Sequence, residues 1–219
     1  MQCVHFCVPI LDMLVDLKKL DEALKFVARA NNLTLKGFLT GKGLQRGIIY
    51  YLKKVCDTPS LYTLEKVFNA AGLNPTSFIF TPSSKTVPFN PVSDLLCPEK
   101  IVTRDNLKLF FKSLIYNYGD YLMSLSFIHK FLSNEFPDIR MDLLIYGDKK
   151  HACLTINLSD DKILYIYFRL WHNKIYSCLA DSTIPAENLN KVAYDSLTAT
   201  IILKYLRIVD LNTTLIKTT

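Results

Sequence analysis

The hydrophobic pattern of the chain changes period, from helical spacing in its first third to alternation over much of its second half. Residues three or four positions apart form an apolar face typical of an amphipathic helix, namely Leu17, Leu20, Leu24, Val27 and Ala28. The same pattern predicts further helices over residues 34–40, 45–54 and 58–72. In the last of these, Thr58 can cap the helix and Gly72 ends it. The first part of the chain is therefore predicted to be all-α.

The later part of the chain predicts helices followed by a sheet. Two helices are expected over residues 105–118 and 121–136, broken at Gly119 and ended by Pro137. Four strand-like runs follow, over residues 139–146, 152–158, 163–171 and 174–179, and a last helix is expected over residues 189–207. Such short connections favour an antiparallel meander. We expect an α+β domain whose helices pack on one face of a four-stranded antiparallel sheet.

Prolines separate the two patterns. Five of the nine lie between residues 75 and 98, and each removes a backbone donor and disfavours helix in the residue before it. We therefore predict a helical domain over residues 1–77, a Pro-rich linker over 78–102 and an α+β domain over 103–219. The fold class is α+β overall, and the last domain is expected to form dimers or higher oligomers and to take up a small-molecule or protein effector.

Composition and charge narrow the class of protein. Half of the 219 residues are hydrophobic, yet no apolar run approaches the ~18 residues of a membrane span. The first residues lack the basic region of a secretory signal, so we expect a soluble, cytoplasmic protein with no membrane partner. Of the net charge of +6, residues 16–77 carry +5, from ten Lys and Arg against five Asp and Glu. That excess suits a phosphate-facing module, but solvated lysines on a small helical domain explain it too.

The glycine-rich segment over residues 37–47 has the pattern of a helix-turn-helix. Such a unit needs a short first helix, a tight turn containing Gly and a second helix with one apolar and one polar face. Gly43 suits the turn, and Leu44 can fill the space between the helices. A phosphate-binding loop fits less well, because the glycine spacing is one residue short and the Ser or Thr hydroxyl is missing.

Residues 58–73 sharpen this interpretation, because they read TPSLYTLEKVFNAAGL. This run resembles the end of a lambda-repressor-like (XRE-type) helix-turn-helix domain, and Gly43-Leu44 with Arg46 and Tyr50 resembles its antitoxin-type members. The resemblance covers a quarter of the chain and does not extend to its second half. It implies an all-α domain of five helices that binds double-stranded DNA at a palindromic operator, as a homodimer or higher homo-oligomer.

The resemblance also assigns DNA-contacting positions, which are Thr34, Gln45, Arg46, Gly47, Tyr50, Tyr51, Lys53 and Lys54. It implies that Arg46 reads guanine and Gln45 reads adenine, each through paired hydrogen bonds. The backbone N–H of Thr34 would meet a phosphate. The sequence departs from the family at Leu39, where a small Ala is usual, and at Val55, where a Gly is usual. Gly37 and Gly47 lie inside predicted helices, each at a cost of about 1 kcal/mol against Ala.

No other pattern predicts a cofactor, a metal or a catalytic centre. Cys3, His5 and Cys7 alternate too closely for a zinc site, and the six scattered cysteines are interpreted as free thiols. His151 and Cys153 share a face of a predicted strand, but no base-orienting acid is evident beside them. We therefore predict a non-enzymatic transcriptional regulator of the repressor type. The alternative is an antitoxin-like or chaperone-like module that binds another protein through the same scaffold.

The strand predicted over residues 163–171 is apolar on both faces. Tyr165, Tyr167 and Trp171 alternate with a second apolar set, Ile166, Phe168 and Leu170. Both faces are therefore expected to be covered, one of them by a second subunit or around a ligand pocket.

Overall fold

The computed structural model describes residues 14–44, 47–48, 60–80, 86–114, 116–197 and 199–217. Its contacts divide the chain into a first unit, Met1–Leu96, and a second unit, Cys97–Thr219. This boundary lies inside the stretch predicted as a linker, residues 78–102. The chain is α+β overall, with helices in both units and a large antiparallel sheet in the second.

Helices form most of the described part of the first unit. Its described elements are β1 (Leu14–Val15), α1 (Leu17–Ala30), α2 (Leu35–Gly41), α3 (Leu61–Ala71), a 3-10 helix (Pro75–Ser77), β2 (Ile79–Phe80) and α4 (Pro91–Asp94). The side chains of Asp16, Thr34 and Ser60 cap the first three helices, each by accepting a hydrogen bond from the backbone N–H three residues later. The helix predicted over residues 45–54 lies outside the described residues, except that residues 47–48 are helical.

A buried ion pair ties α1 to the proline-rich stretch within the first unit. Lys19 Nζ lies 2.9 Å from Asp94 Oδ2 and donates a second hydrogen bond to the carbonyl oxygen of Ser77 at 2.8 Å. The backbone N–H of Asn90 donates to the same carboxylate oxygen at 2.8 Å. The neighbouring apolar side chains are in the core, namely Phe89, Val92 and Leu95. Part of the stretch predicted as a linker is therefore folded into the first unit.

The second unit combines helices with a five-stranded sheet. Its helices are α5 (Pro98–Ile101), α6 (Leu107–Ser113), α7 (Tyr118–Glu135) and α8 (Ala199–Lys217), and its strands are β3 (Met141–Ile145), β4 (His151–Ser159), β5 (Lys162–Trp171), β6 (Lys174–Ala180) and β7 (Asp195–Ser196). The strands pair in chain order, all antiparallel. The predicted meander is confirmed, but the predicted number of four strands is wrong because β7 adds a fifth.

Three helix boundaries in the second unit differ from the prediction. The helix predicted over residues 105–118 is α6, which already ends at Ser113. Gly119 lies in the first turn of α7 and does not break a helix, because the Asn117 side chain caps the helix before it and accepts from the N–H of Asp120 at 3.0 Å. The helix expected over residues 189–207 is replaced by a 3-10 turn (Ala186–Lys191), then β7 and α8. Within the described ranges, no helix has the length and apolar character that crossing a membrane requires.

Both faces of the sheet are covered over β4 and β5. Helices lie on one face, where Tyr205 of α8 hydrogen-bonds Ser177 through their hydroxyls at 2.9 Å. On the other face, a buried cluster of Cys153, Tyr167 and Leu189 is surrounded by partly buried apolar residues from the segment after β6 and from the strands. The Tyr167 hydroxyl accepts from the N–H of Ile184 at 2.8 Å. The chain itself therefore supplies the second cover over this cluster.

Candidate functional site

The turn after α2 is a Schellman motif with glycine at its left-handed position. Gly43 has φ +66°, a value that residues with a Cβ rarely adopt. Its N–H donates to the carbonyl oxygen of Thr40 at 3.0 Å, and the N–H of Leu44 donates to that of Leu39 at 2.8 Å. Leu44 and Ile48 are buried in the first unit. The chain thus ends one helix, turns tightly and is helical again at residues 47–48.

Two of the predicted DNA-contacting residues lie in the described part of the chain. Thr34 is the exposed N-cap of α2, and its Oγ1 accepts from the N–H of Gly37 at 3.1 Å. Gly47 is half-buried, and a Cβ added to it would meet no described atom within 4 Å. Packing against the described residues therefore gives no reason for glycine at position 47. The remaining predicted contacts lie outside the described residues, namely Gln45, Arg46, Tyr50, Tyr51, Lys53 and Lys54.

A small hollow of about 170 Å³ lies between this turn and α3. Gly43, Leu44 and Ile48 line one side, and Tyr62, Thr63 and Lys66 line the other. Tyr62 is 65% exposed, and Lys66 Nζ lies 4.2 Å from the centroid of its ring. A cation and a phenol hydroxyl are groups that contact phosphate and sugar in DNA complexes. Sequence reasoning gave Tyr62 and Lys66 no contact role, although both lie in the stretch that resembles the family.

A second cleft, of about 690 Å³ and lined mainly by charged, amide and aromatic side chains, lies at one end of the sheet in the second unit, around His151. Two turns bound it, and both use left-handed backbone: Lys149 between β3 and β4, and His172-Asn173 between β5 and β6. Arg169 on β5 pairs directly opposite His151 on β4, so the two side chains lie on the same face of the sheet. Turn geometry and strand register together therefore place charged side chains around one cavity.

Asp148 orients the His151 ring. Its Oδ2 lies 2.5 Å from His151 Nδ1, and its Oδ1 accepts from the backbone N–H groups of Lys150 and His151 at 3.0 and 3.1 Å. Partial burial raises the pKa of the Asp148 carboxyl, but the hydrogen bonds from His151 and from the backbone outweigh it, so the pKa lies below its usual range. A carboxylate only accepts, so Nδ1 carries a proton, and in the neutral imidazole Nε2 is then the acceptor.

The acid beside His151 was missed by the sequence reasoning. We expected none near His151 and Cys153, and Asp148 lies three residues before the histidine. Its only signal was the Gly147-Asp148 pair, which we interpreted as turn chemistry. His151 is 3% exposed, and its Nε2 has no hydrogen-bond partner among the described residues.

Cys153 lies on the same sheet face, but it is not an activated nucleophile. Burial raises the pKa of its thiol to about 11, although a hydrogen bond with Tyr167 lowers it in part. The thiol is therefore protonated at neutral pH, and the thiolate is the reactive form. In the part of the chain that the structure describes, no three His, Cys, Asp or Glu side chains come together to hold a metal ion. Cys3, His5 and Cys7 lie outside that part.

Comparison with protein-family models, curated proteins and solved structures finds no match to this chain. The resemblance to lambda-repressor-like domains therefore rests on the residues quoted above.

Proposed function

We propose that this protein is a DNA-binding transcriptional regulator. Its recognition helix is the one predicted over residues 45–54, which is helical at residues 47–48. The observation that carries the proposal is the turn at Gly43. There α2 ends at a left-handed glycine, Leu44 and Ile48 are buried, and the chain is helical again at residues 47–48. A helix-turn-helix needs such a tight turn, because the first helix supports the second while the second enters the major groove.

The buried position of Ile48 defines which side chains would face DNA. On the helix that the sequence predicts over residues 45–54, successive residues turn by about 100°. Arg46, Tyr50 and Lys53 then lie roughly 140–160° around the helix from Ile48, on the face away from the core. Gln45 and Tyr51 lie only about 60° from Ile48. Among the predicted contacts, we therefore assign base reading to Arg46 and Tyr50 and a phosphate contact to Lys53.

Basic groups elsewhere in the first unit support the same proposal. Lys36 on α2, Lys42 at its end and Lys66 on α3 are all exposed. Neutralising phosphates with such groups makes DNA affinity fall steeply as salt concentration rises. One recognition helix contacts only a few base pairs, so we propose that the regulator acts as a dimer on two half-sites about 34–36 Å apart.

The proposal is tested by selecting DNA from a random pool with the purified full-length protein. Fluorescence anisotropy then measures affinity for the selected sequence and for unrelated DNA at several salt concentrations. We expect Arg46→Ala to lose about 1–3 kcal/mol of the preference for the selected sequence. Arg140→Ala is the matched control, because Arg140 is an exposed arginine of the second unit and its removal changes the net charge equally.

Two results would overturn the proposal. One is the absence of salt-sensitive DNA binding. The other is an equal loss of preference in Arg46→Ala and Arg140→Ala, because specificity would then not come from the proposed helix. A stable complex with the product of a neighbouring gene, together with no DNA binding, would favour the protein-interaction alternative.

A further inference from the structure

We propose that the cleft around His151 binds a small anion that carries a planar ring and hydrogen-bond donors, which is the chemistry of a mononucleotide. This inference concerns the second unit alone and does not rest on DNA binding by the first. The volume of the cleft, about 690 Å³, lies within the roughly 300–1,000 Å³ of small-molecule sites.

The charges that line the cleft favour an anion. Lys150 and Arg169 contribute two positive charges, and Asp148 contributes one negative charge. The Asp148 oxygens already accept hydrogen bonds from His151 and from two backbone N–H groups. Among the described residues, no carboxylate lies within ion-pair distance of Arg169 or Lys150. Two cations without a paired carboxylate attract an anionic ligand, and a guanidinium binds phosphate through two parallel hydrogen bonds.

The backbone on both sides of the cleft is fixed before a ligand arrives. The carbonyl oxygen of Lys150 accepts from the N–H of Leu170 at 2.8 Å and from the Tyr121 hydroxyl at 3.1 Å. Strand pairing holds Arg169 opposite His151. A preformed site binds more tightly, because little conformational entropy is lost when the ligand is bound.

Trp171 offers a surface for a planar ring at the edge of the cleft. Its indole is 52% exposed, yet its neighbours hold it in place. The Arg169 guanidinium lies 5.6 Å from its ring centroid, and the rings of His172 and Tyr176 lie 4.8 and 5.8 Å away. Aromatic side chains of this kind stack on nucleic-acid bases of any sequence, since every base has a π-face.

His151 explains why the ligand should also carry donors. Its Nε2 is buried and has no partner among the described residues, and in the neutral imidazole the proton on Nδ1 leaves Nε2 an acceptor. The hydroxyl of Tyr194, whose ring centroid lies 6.3 Å from that of His151, is likewise buried without a partner among those residues. Buried polar atoms are nearly always hydrogen-bonded. A ribose hydroxyl or an exocyclic amine would satisfy Nε2.

The test uses the fluorescence of Trp171, which is the only tryptophan of the chain. Adenosine monophosphate, guanosine monophosphate, uridine monophosphate, adenosine and inorganic phosphate are titrated separately into the full-length protein, up to millimolar concentrations. We expect saturable quenching by at least one mononucleotide, and weaker binding of both adenosine and phosphate. Isothermal titration calorimetry checks each affinity independently.

Two variants and one control locate the site. Arg169→Gln and Lys150→Gln should each weaken mononucleotide binding about tenfold or more, because each removes a charged hydrogen-bond donor. Lys150 is exposed, so its variant remains informative if Arg169→Gln does not fold. Arg140→Gln, an equal loss of charge outside the cleft, should leave the affinity unchanged.

Each remaining outcome overturns part or all of the inference. If no mononucleotide binds by either method, the inference is wrong. If adenosine binds as tightly as its monophosphate, the ligand need not be an anion. If phosphate alone binds as tightly, the ring makes no contribution. DNA binding is measured separately on the same variants, so failure of this inference is distinguishable from failure of the proposed function.

Discussion

Replacing Lys19 by Met tests whether the proline-rich stretch belongs to the folded first unit. Methionine keeps the length and apolar stem of the side chain but removes the ammonium group. Asp94, which is 3% exposed, then retains hydrogen bonds from the N–H of Asn90 and the hydroxyl of Ser93. The carbonyl oxygen of Ser77 also loses its donor. A buried carboxylate is thus left without its cation.

The expected loss of stability is large. Removing one partner of a buried ion pair costs about 3–5 kcal/mol, because the remaining charge is uncompensated. Each 1 kcal/mol lowers the melting temperature by about 4–8 °C in a domain of this size. The double variant Lys19→Met with Asp94→Asn should regain part of the loss, since no full charge is then buried. Lys25→Gln is the control, because Lys25 pairs with Asp21 on the surface of α1 at half exposure, which is worth about 0.3–0.5 kcal/mol.

Hydrogen exchange measured by mass spectrometry separates the two units of the chain. Peptides from α1 report the free energy of opening of the first unit, whereas the fluorescence of Trp171 reports the second. We expect Lys19→Met to lower protection across α1 by the full amount and Lys25→Gln to leave it almost unchanged. If the amides of α1 are equally protected from exchange in the two variants, the buried pair does not hold the first unit together. The stretch over residues 86–96 would then behave as the linker that its prolines predict.

Three further predictions concern single positions. Gly47→Ala should stabilise the first unit by up to about 1 kcal/mol in thermal melting, because its Cβ meets no described atom. If the proposed recognition helix approaches DNA closely at this glycine, the same Cβ should weaken DNA binding. Gly41→Ala should stabilise without that loss, and equal DNA affinity in the two variants would contradict the close approach. At pH 8, Cys153 should be alkylated far more slowly than Cys97, since a pKa of about 11 leaves about one in a thousand Cys153 thiols as thiolate. Equal alkylation rates of the two cysteines, measured by peptide mass spectrometry, would refute the burial of Cys153. Because the pKa of Asp148 is lowered in the folded state, its contribution to stability is complete above about pH 4 and is lost as pH falls through the folded-state pKa. The free energies of unfolding of the native protein and of Asp148→Asn, measured in urea, should therefore converge in acid. A difference that stays constant with pH would exclude the linkage.

The antiparallel meander was predictable because its signals are local. Alternating apolar residues mark each long strand, and turn residues separate the strands by only a few positions. The fifth strand has no such signal, because Asp195 and Ser196 are polar, exposed and only two residues long. They form a strand solely by pairing with Tyr176 and Ser177 of β6. Whether so short a segment is a strand depends on the partner beside it, which the local sequence does not contain.

The buried ion pair shows the same dependence on distant residues. Proline disfavours helix locally, and that physics is correct for residues 86–90, which have no regular structure. It says nothing about burial, however, and Pro91 starts a helical turn whose last residue, Asp94, meets Lys19. The sequence contained both charges, but a lysine on an amphipathic helix is normally on its solvated face. Only the tertiary fold shows that Lys19 faces inward.

The cleft in the second unit was missed for a different reason, which is that one residue serves two purposes. Asp148 was interpreted as a turn residue, and its Oδ1 does accept the backbone N–H groups that close the turn before β4. The same fixed geometry leaves Oδ2 directed at His151 Nδ1. A side chain that satisfies its own turn therefore also orients a buried imidazole, and strand register then sets Arg169 opposite that imidazole. Because turn propensity accounts fully for an Asp at this position, the sequence pattern alone gives no reason to assign it a second role.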